Sequence, residues 1–335
     1  METKNFRKEN RKRFLICLSA AVLCALLSAV CSVLFGAVSL SLKEFFDGLF
    51  NINKTAKIII FDIRIPRMLG AFLSGAGLSL SGVLLQSVTN NDLAGPNIIG
   101  VNSGAGLGVI TVLLISPRTI YAIPICAFLG AFAISVLIVA VSRSVNRKKE
   151  TVILVGIAVT AIVNAVISFI TLVDSDILSS YNYFSVGGLS GVNLNELSVP
   201  FLLICLVLMI SLLISPYVTA LSLGDDIAAS LSVSVKKIRV VCLILASAAA
   251  SAAVSFVGLL GFVGLVVPHI ARRLVGGDVK KMILISLPLG AFLVCIGDLL
   301  GRALIPPTEI PVGIVMALVG APFFLYVVVR RKNNA

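Results

Sequence analysis

Two arginines at the start of a long apolar run are the residues best suited to binding a charged partner. The segment "DIRIPR" (62–67) places Arg64 and Arg67 three positions apart, directly before "MLGAFLSGAGLSLSGVLLQSV". On a helix this spacing puts both side chains on one face, and Pro66 is tolerated in a first turn. A guanidinium stays charged and can hold a carboxylate in two hydrogen bonds. The pair could therefore recognise an acidic partner, or it could simply extend towards lipid headgroups.

The composition indicates a polytopic membrane protein. Hydrophobic residues make up 59% of the 335 residues, charged residues 13%, and the mean hydropathy is +1.11. Soluble domains are about 45–50% apolar and about 25% charged. We expect one all-α transmembrane domain over residues 1–335, with about ten transmembrane helices and no soluble domain. The apolar runs lie near 14–38, 66–88, 97–115, 120–141, 151–173, 197–217, 239–258, 260–274, 282–304 and 311–329.

Lys and Arg are concentrated in alternate connections between these runs. Of the 27 basic residues, 20 lie in the segments that an even number of spans places on one side, together with both termini. Because cytoplasmic loops retain Lys and Arg, this pattern predicts a multi-pass protein of the bacterial cell membrane with both termini in the cytoplasm, including a basic tail at 1–13. The same distribution accounts for the net charge of +12 without a nucleic-acid partner. Arg64, Arg67 and Arg302 then lie on the outer side.

The chain lacks the motifs of an enzyme or a metal site. It has no GxxxxGK[ST] phosphate loop and no HExxH, and its seven cysteines show no CxxC spacing, so we interpret them as small buried hydrophobes. The single histidine, His269, is interpreted as structural. Asp298 is the acid within a late apolar run, but it lies near that run's outer end, whereas a coupling ion needs an acid near the midplane. We therefore expect no cofactor, no metal and no catalytic activity, but a translocation pathway whose energy source lies elsewhere.

Small residues and two longer connections complete the pattern. The segments 73–82, 100–108 and 246–255 are rich in Gly, Ala and Ser, which predicts close helix packing. The connection 174–196 is predicted to hold a short surface helix on the outer side. The connection 218–238, the longest on the inner side, is predicted to hold a short cytoplasmic helix along the membrane surface, because the acids in "GDDIAASL" favour a helix start.

Five segments together resemble a known family of permeases. They read "RIPRMLGAFLSGAGLSLSGVLLQ", "NNDLAGPNIIGVNSGAGLG", "LGDDIAASLSVSV", "GFVGLVVPHIARRLVGGD" and "GDLLGRALIPPTEIPVGIVMALVGAPFFLYVV". In this order, from about residue 60 to 329, they are similar to the membrane subunits of ATP-driven iron-siderophore, heme and vitamin B12 importers. Asp92 in "NNDLAGP" departs from the family pattern, which has a proline there.

The resemblance implies a type II ABC importer permease of ten helices. It implies a pore between two permease subunits, identical or related, two ATP-binding cassette subunits at the inner face, and a substrate-binding protein docking outside. Arg64, Arg67 and Arg302 match the positions that meet acidic residues of the binding protein. Arg302 also has a local alternative, since Asp298 lies four residues before it.

The resemblance also assigns residues at the inner end and within the pathway. In "LGDDIAASL" the ATPase contact would be made by Gly224, Asp225, Ala228 and Leu231, although an ordinary amphipathic connector would look similar. Asn91 and Leu93 match positions that narrow the cytoplasmic end of the pore. The amides Gln86, Asn102 and Asn164 could line the pathway or could hydrogen-bond between helices.

Two other functions stay open on the sequence alone. An ion-coupled secondary transporter would need no ATPase, and a structural subunit of another membrane complex would move nothing. The identity of the metal chelate is not determined by these motifs.

Overall fold

The described part of the protein consists of helices. The computed structural model describes residues 2–38, 40–116, 119–145, 149–305 and 308–332. Helices account for 84% of the chain, and no strand occurs among the described residues, so the predicted all-α class is confirmed. The helices are α1 (Glu2–Leu34), α2 (Leu42–Leu49), α3 (Lys54–Ile58), α4 (Ile65–Thr89), α5 (Val101–Ile115), α6 (Ile123–Val145), α7 (Lys149–Val173), α8 (Ser175–Val186), α9 (Leu194–Ser222), α10 (Asp225–Ser230), α11 (Val235–Val257), α12 (Val263–Val275), α13 (Val279–Ala303) and α14 (Val312–Lys332).

Seven helical segments in the described ranges are long and apolar enough to cross a membrane. They are Arg11–Leu34, Lys54–Thr89, Ile123–Ser142, Thr151–Val173, Leu194–Ser222, Val235–Val257 and Val279–Ala303. Two shorter apolar helices, Val101–Ile115 and Val312–Tyr326, accompany them. The protein is therefore a multi-span helical bundle, whereas the predicted count of about ten spans is not confirmed.

Three of the predicted spans account for the difference in count: 97–115 and 311–329 give the two shorter apolar helices, and 260–274 gives the shortest helix of the three. This run forms α12, which has 13 residues and carries Arg272 and Arg273 in its last turn. At 1.5 Å per residue such a helix is about 20 Å long, short of the ~30 Å hydrocarbon core. Its backbone is nevertheless well inside the bundle, since most of its apolar residues are buried.

Two helices begin earlier than the apolar runs suggested. The second span was predicted from residue 66, but its helix begins at Lys54 and passes through a π-helical turn, Ile59–Arg64, into α4. Asn53 caps this start by accepting hydrogen bonds from the backbone of Thr55 and Ala56. The N-terminal segment 1–13, predicted as a separate tail, is helical from Glu2 and continuous with α1.

Both connections that were predicted to hold short helices do so. The connection 174–196 contains α8, whose first turn is capped by the Asp174 carboxylate. In 218–238 the long helix α9 continues to Ser222, so that the true connection is shorter and holds the six-residue α10.

The centre of the bundle is α4, which packs on α9, α11, α12 and α13. Small residues allow this packing, as the sequence predicted. A Cβ added at Gly75 would lie 2.1 Å from the carbonyl oxygen of Gly290, so the backbones of α4 and α13 are in direct contact. In α11, Ala246, Ala249 and Ala250 are fully buried. Membrane helices rely on such close packing because lipid is as apolar as their side chains, so no hydrophobic effect drives the helices together.

The cysteine prediction is only partly right. All seven cysteines are free, but only Cys242 and Cys295 are buried, while Cys24 and Cys205 are exposed on the surface of the bundle. These two lie in α1 and α9, where lipid rather than protein would surround an outward-facing apolar side chain. Among the described residues no group of three or more His, Cys, Asp or Glu side chains could hold a metal ion.

Candidate functional site

Three arginines and two carboxylates form a cluster at one end of the bundle. We call it the arginine cluster: Arg64, Arg67, Asp298, Arg302 and Glu309. The arginines are 3–5% exposed and Asp298 is 1% exposed. A carboxylate buried this deeply has to be paired, and Asp298 serves two guanidinium groups at once. Three positive and two negative groups leave one excess positive charge in the cluster.

Arg67 is held by two acids that are remote in sequence. Its Nη2 lies 2.9 Å from Asp298 Oδ1 and its Nε donates to both carboxylate oxygens at 3.0 Å. Its Nη1 donates to Glu309 Oε2 at 2.7 Å. Asp298 is almost fully buried, but the Glu309 side chain is 32% exposed. Glu309 is therefore the partner that an incoming carboxylate could most readily replace.

Arg64 and Arg302 both close the C-terminal end of α1. Arg64 donates to the carbonyl oxygens of Val33, Leu34 and Val38 at 2.6–2.7 Å. Arg302 donates to Ser32 Oγ at 2.7 Å and its Nε lies 3.1 Å from Asp298 Oδ2. The last carbonyls of a helix lack intrahelical partners and attract positive charge.

These contacts correct one part of the sequence prediction. Arg64, Arg67 and Arg302 come together at one end, as expected, but they do not project as free charges from a rim. The local alternative for Arg302 is observed, since Asp298 pairs with it within α13. The chain itself supplies the partners because the end of α1 and the segment around Glu309 cover the guanidinium groups. Their role in docking stays a prediction.

The opposite end of the bundle carries α10. Gly224 precedes this helix with φ 127°, a conformation that a residue with a Cβ rarely adopts. The Asp225 carboxylate accepts two hydrogen bonds of 2.8 Å from Arg239 of α11, which fixes the start of the helix. Ala228 is fully buried and packs α10 against the chain itself, while its contact with the ATPase stays a prediction. Leu231 is 61% exposed, so its side chain is accessible to another protein.

Two further exposed apolar residues lie beside Leu231. Leu223 is 62% exposed and Ile227 is 48% exposed. Ile227 and Leu231 are four residues apart, which places them on one side of α10, and Leu223 precedes this helix at the end of α9. Neither Leu223 nor Ile227 was predicted from the sequence, although both are apolar residues within four positions of a predicted contact residue, Leu231 or Gly224.

The connection after α4 is a tight turn, which we call the gate segment (residues 90–93). Asn90 has φ 49°, and the Asn91 side chain accepts a hydrogen bond of 3.0 Å from the backbone N–H of Leu93. Asp92, the departure from the family pattern, lies 2.8 Å from Arg272 at the end of α12. Asn91 and Leu93 are both half-buried.

The three amides predicted within the pathway separate into two groups. Gln86 is fully buried and donates to the carbonyl of Leu265 at 3.2 Å, so it makes the hydrogen bond between helices that was the alternative to lining the pathway. Asn102 and Asn164 instead line one cavity of about 480 Å³ between α5, α7 and α8. Ser103, Thr160, Ser168 and Tyr181 line it too. Burial raises the pKa of the Tyr181 phenol, so this wall stays neutral.

A multi-span helical bundle with a polar cavity between its helices is an architecture compatible with membrane transport. Comparisons with known proteins show which family of membrane proteins this chain belongs to. The sequence profile of the FecCD transport family matches residues 23–330, and the chain belongs to this family.

Relatives of the same length are named as iron permeases. The chain is 36% identical over 326 residues to the Fe(3+)-citrate import system permease protein YfmE of Bacillus subtilis (strain 168), covering 96% of this chain and 97% of that one. It is 32% identical over 326 residues to the "Probable heme-iron transport system permease protein IsdF" of Staphylococcus aureus (strain Newman), covering 97% and 98%. A solved metal-chelate type ABC transporter in an inward-facing conformation superimposes with a TM-score of 0.84 at 30% identity, covering 93% of this chain and 98% of that one.

Proposed function

We propose that this chain is the membrane permease subunit of an ATP-driven importer that carries an iron chelate of the ferric-citrate or heme kind. The observation that carries the proposal is the match over nearly the full length to permeases of that kind. The fold of a metal-chelate transporter supports it. ATP hydrolysis takes place on separate subunits, two in the assembled importer, as the family membership implies.

The contacts of Asp298 argue against the ion-coupled alternative. Among the described residues Asp298 is the one fully buried acid, and Arg67 and Arg302 both neutralise it. A coupling acid has to bind and release an ion, which a carboxylate held between two guanidinium groups does poorly.

The partners follow from the two ends of the molecule. We propose that the exposed apolar residues around α10 contact the ATP-binding cassette subunits. The arginine cluster, with its excess positive charge, lies on the outer side and receives acidic residues of the substrate-binding protein. A second permease subunit completes the pore beside the cavity of Asn102 and Asn164, with about ten helices in each subunit and the gate segment at the inner end.

Reconstitution of the complete importer tests the function. The chain would be assembled with its ATPase subunits in proteoliposomes, and radiolabelled ferric citrate and heme would be supplied with the substrate-binding protein. We expect accumulation of one of these chelates that depends on ATP. A matched preparation without the ATPase subunits should accumulate nothing.

Two results would contradict the proposal in different ways. Accumulation driven by an ion gradient without ATPase subunits would establish the secondary transporter instead. ATP hydrolysis stimulated by the binding protein, without uptake of either chelate, would leave the importer in place and show that the cargo is another compound.

A further inference from the structure

The gate segment is fixed on one side by an ion pair between distant parts of the chain. Asp92 Oδ1 and Arg272 Nη1 are 2.8 Å apart, and the two side chains are 27% and 29% exposed. Asp92 belongs to the turn after α4, whereas Arg272 belongs to the last turn of α12. Partial burial makes such a pair stronger than a fully exposed one, but water at its edge leaves it breakable.

On its other side the gate segment contacts the end of α9. The Asn90 amide donates to the carbonyl oxygen of Leu221 at 3.4 Å, a long hydrogen bond. Leu221 lies only four residues before Asp225, the first residue of α10. The gate segment therefore lies between the base of α10 and the end of α12.

Within the gate segment two hydrogen bonds to Asn91 tie the residues of the turn to one another. The Asn91 carboxamide accepts from the N–H of Leu93, and the Asn91 carbonyl accepts from the N–H of Ala94. Both bonds are 3.0 Å long and both span Asp92. The backbone of Asp92 is therefore tied to the backbone of Leu93, so that the position of this turn determines the position of Leu93.

The fold itself does not depend on this pair. The helices α4 and α12 are already joined by the hydrogen bond from Gln86 to Leu265, and both bury apolar residues against each other. An ion pair at the periphery of this packed unit adds little to the fold. It does determine where the turn at Asp92 lies relative to α12.

We propose that the Asp92–Arg272 ion pair is a positioning contact that holds Leu93 against the inner end of the pathway, and that this contact opens when the gate segment moves during transport. The inference rests on the proposed function, which places the gate segment at the inner end of the pore. Arg272 acts through Asp92 and is not itself assigned to the pathway.

The accessibility of Leu93 tests the inference in the assembled importer. Leu93→Cys, in the full complex in lipid nanodiscs, would be labelled with a membrane-impermeant maleimide, and the parent chain would give the background from native cysteines. Asp92→Asn and Arg272→Gln should each raise the labelling rate without nucleotide by about three- to fivefold, the change expected when one partly buried ion pair is lost. The exchanged pair, Asp92→Arg with Arg272→Asp, should restore the slow rate.

A second ion pair at the same end provides the matched control. Lys281 Nζ lies 3.2 Å from Asp278 within the first turn of α13. Lys281→Gln removes one ion pair without touching the gate segment, so the labelling of Leu93→Cys should not change. Co-purification of the ATPase subunits checks that every variant assembles.

The outcomes separate the inference from the proposed function. If labelling of Leu93→Cys is the same without nucleotide and in the vanadate-trapped complex, the gate assignment fails and the inference fails with it. If labelling depends on nucleotide but Asp92→Asn and Arg272→Gln behave like Lys281→Gln, the ion pair has no positioning role. Faster labelling that the exchanged pair does not restore would also overturn it, because pairing of charge would then not be the cause.

Discussion

At the scale of single residues, the arginine cluster shows how one residue type can be predicted while its partners are not. The sequence singled out Arg64, Arg67 and Arg302, and it offered Asp298 as a local partner of Arg302. The partners of Arg64 lie 26–31 residues away, and those of Arg67 lie 231 and 242 residues away. Local spacing carries no information about such contacts. Glu309 was visible in "PPTEIP", but nothing in that segment pointed to Arg67.

The contact between Arg67 and Glu309, in which another carboxylate could replace Glu309, gives a prediction about docking of the substrate-binding protein. Glu309→Gln removes a carboxylate 2.7 Å from Arg67 Nη1, while Asp298 continues to hold the rest of the guanidinium group. If carboxylates of the substrate-binding protein compete for Arg67, the variant should bind that protein about two- to fivefold more tightly, since an exposed ion pair is worth up to ~1 kcal/mol. The dissociation constant of the purified complex would be measured by surface plasmon resonance.

Asp62→Asn is the control for this measurement. Asp62 is exposed near the same end, and its replacement changes the net charge by the same amount without touching Arg67. Equal effects of the two substitutions would mean that only the overall charge matters, and the assignment of Arg67 to docking would have to be abandoned.

At the scale of secondary-structure elements, α10 packs against the rest of the chain and still leaves apolar side chains exposed. Ala228 faces the chain and is fully buried, and the Arg239 pair fixes Asp225. The apolar side chains left outside, Leu223, Ile227 and Leu231, have no partner of their own kind in the described bundle that would remove them from solvent. Apolar residues exposed in a row on a polar connection are typical of an interface with another subunit.

Replacing Leu231 should therefore weaken the contact with the ATPase subunits. Burying a leucine side chain contributes about 1.5–3 kcal/mol, so Leu231→Ser should lower the affinity of the subunits by roughly tenfold or more. ATP hydrolysis stimulated by the loaded binding protein should fall in parallel. Both would be measured on the purified complex by titration of the ATPase subunit.

Leu304→Ser serves as the comparison, because Leu304 is also 61% exposed but lies at the end of the arginine cluster. It should leave the ATPase affinity unchanged. Wild-type affinity and stimulation in Leu231→Ser would show that α10 is an ordinary connector.

At the scale of the whole molecule, the two ends differ in chemistry, and this difference gives a prediction about the orientation of the protein in the membrane. One end carries the arginine cluster and the start of the long second span at Lys54. The other carries α10, the gate segment and the ion pairs of Arg239 and Arg272. The distribution of Lys and Arg predicts that the second end faces the cytoplasm.

Cysteine labelling of intact cells checks this orientation. Thr55 and Ser234 are both exposed, the first near the start of the second span and the second before α11. Thr55→Cys should react with an impermeant maleimide added outside, whereas Ser234→Cys should react only after the cells are permeabilised. The parent chain provides the background from the native cysteines. The reverse pattern would invert the topology and remove the basis for docking at the arginine cluster.

The sequence by itself determined the class of the protein, because a chain that crosses a membrane several times needs a high apolar content and long runs of apolar residues. It also predicted the small-residue packing around Gly75 and the short helix at 225–230, since both depend on neighbouring residue types. Only the tertiary structure decided which polar groups meet. The Asp298 and Glu309 contacts of Arg67, the burial of Gln86 and Ala228, and the Asp92–Arg272 pair all depend on residues from distant parts of the chain. Their energies depend on distance and burial in three dimensions, which local spacing along the chain does not specify.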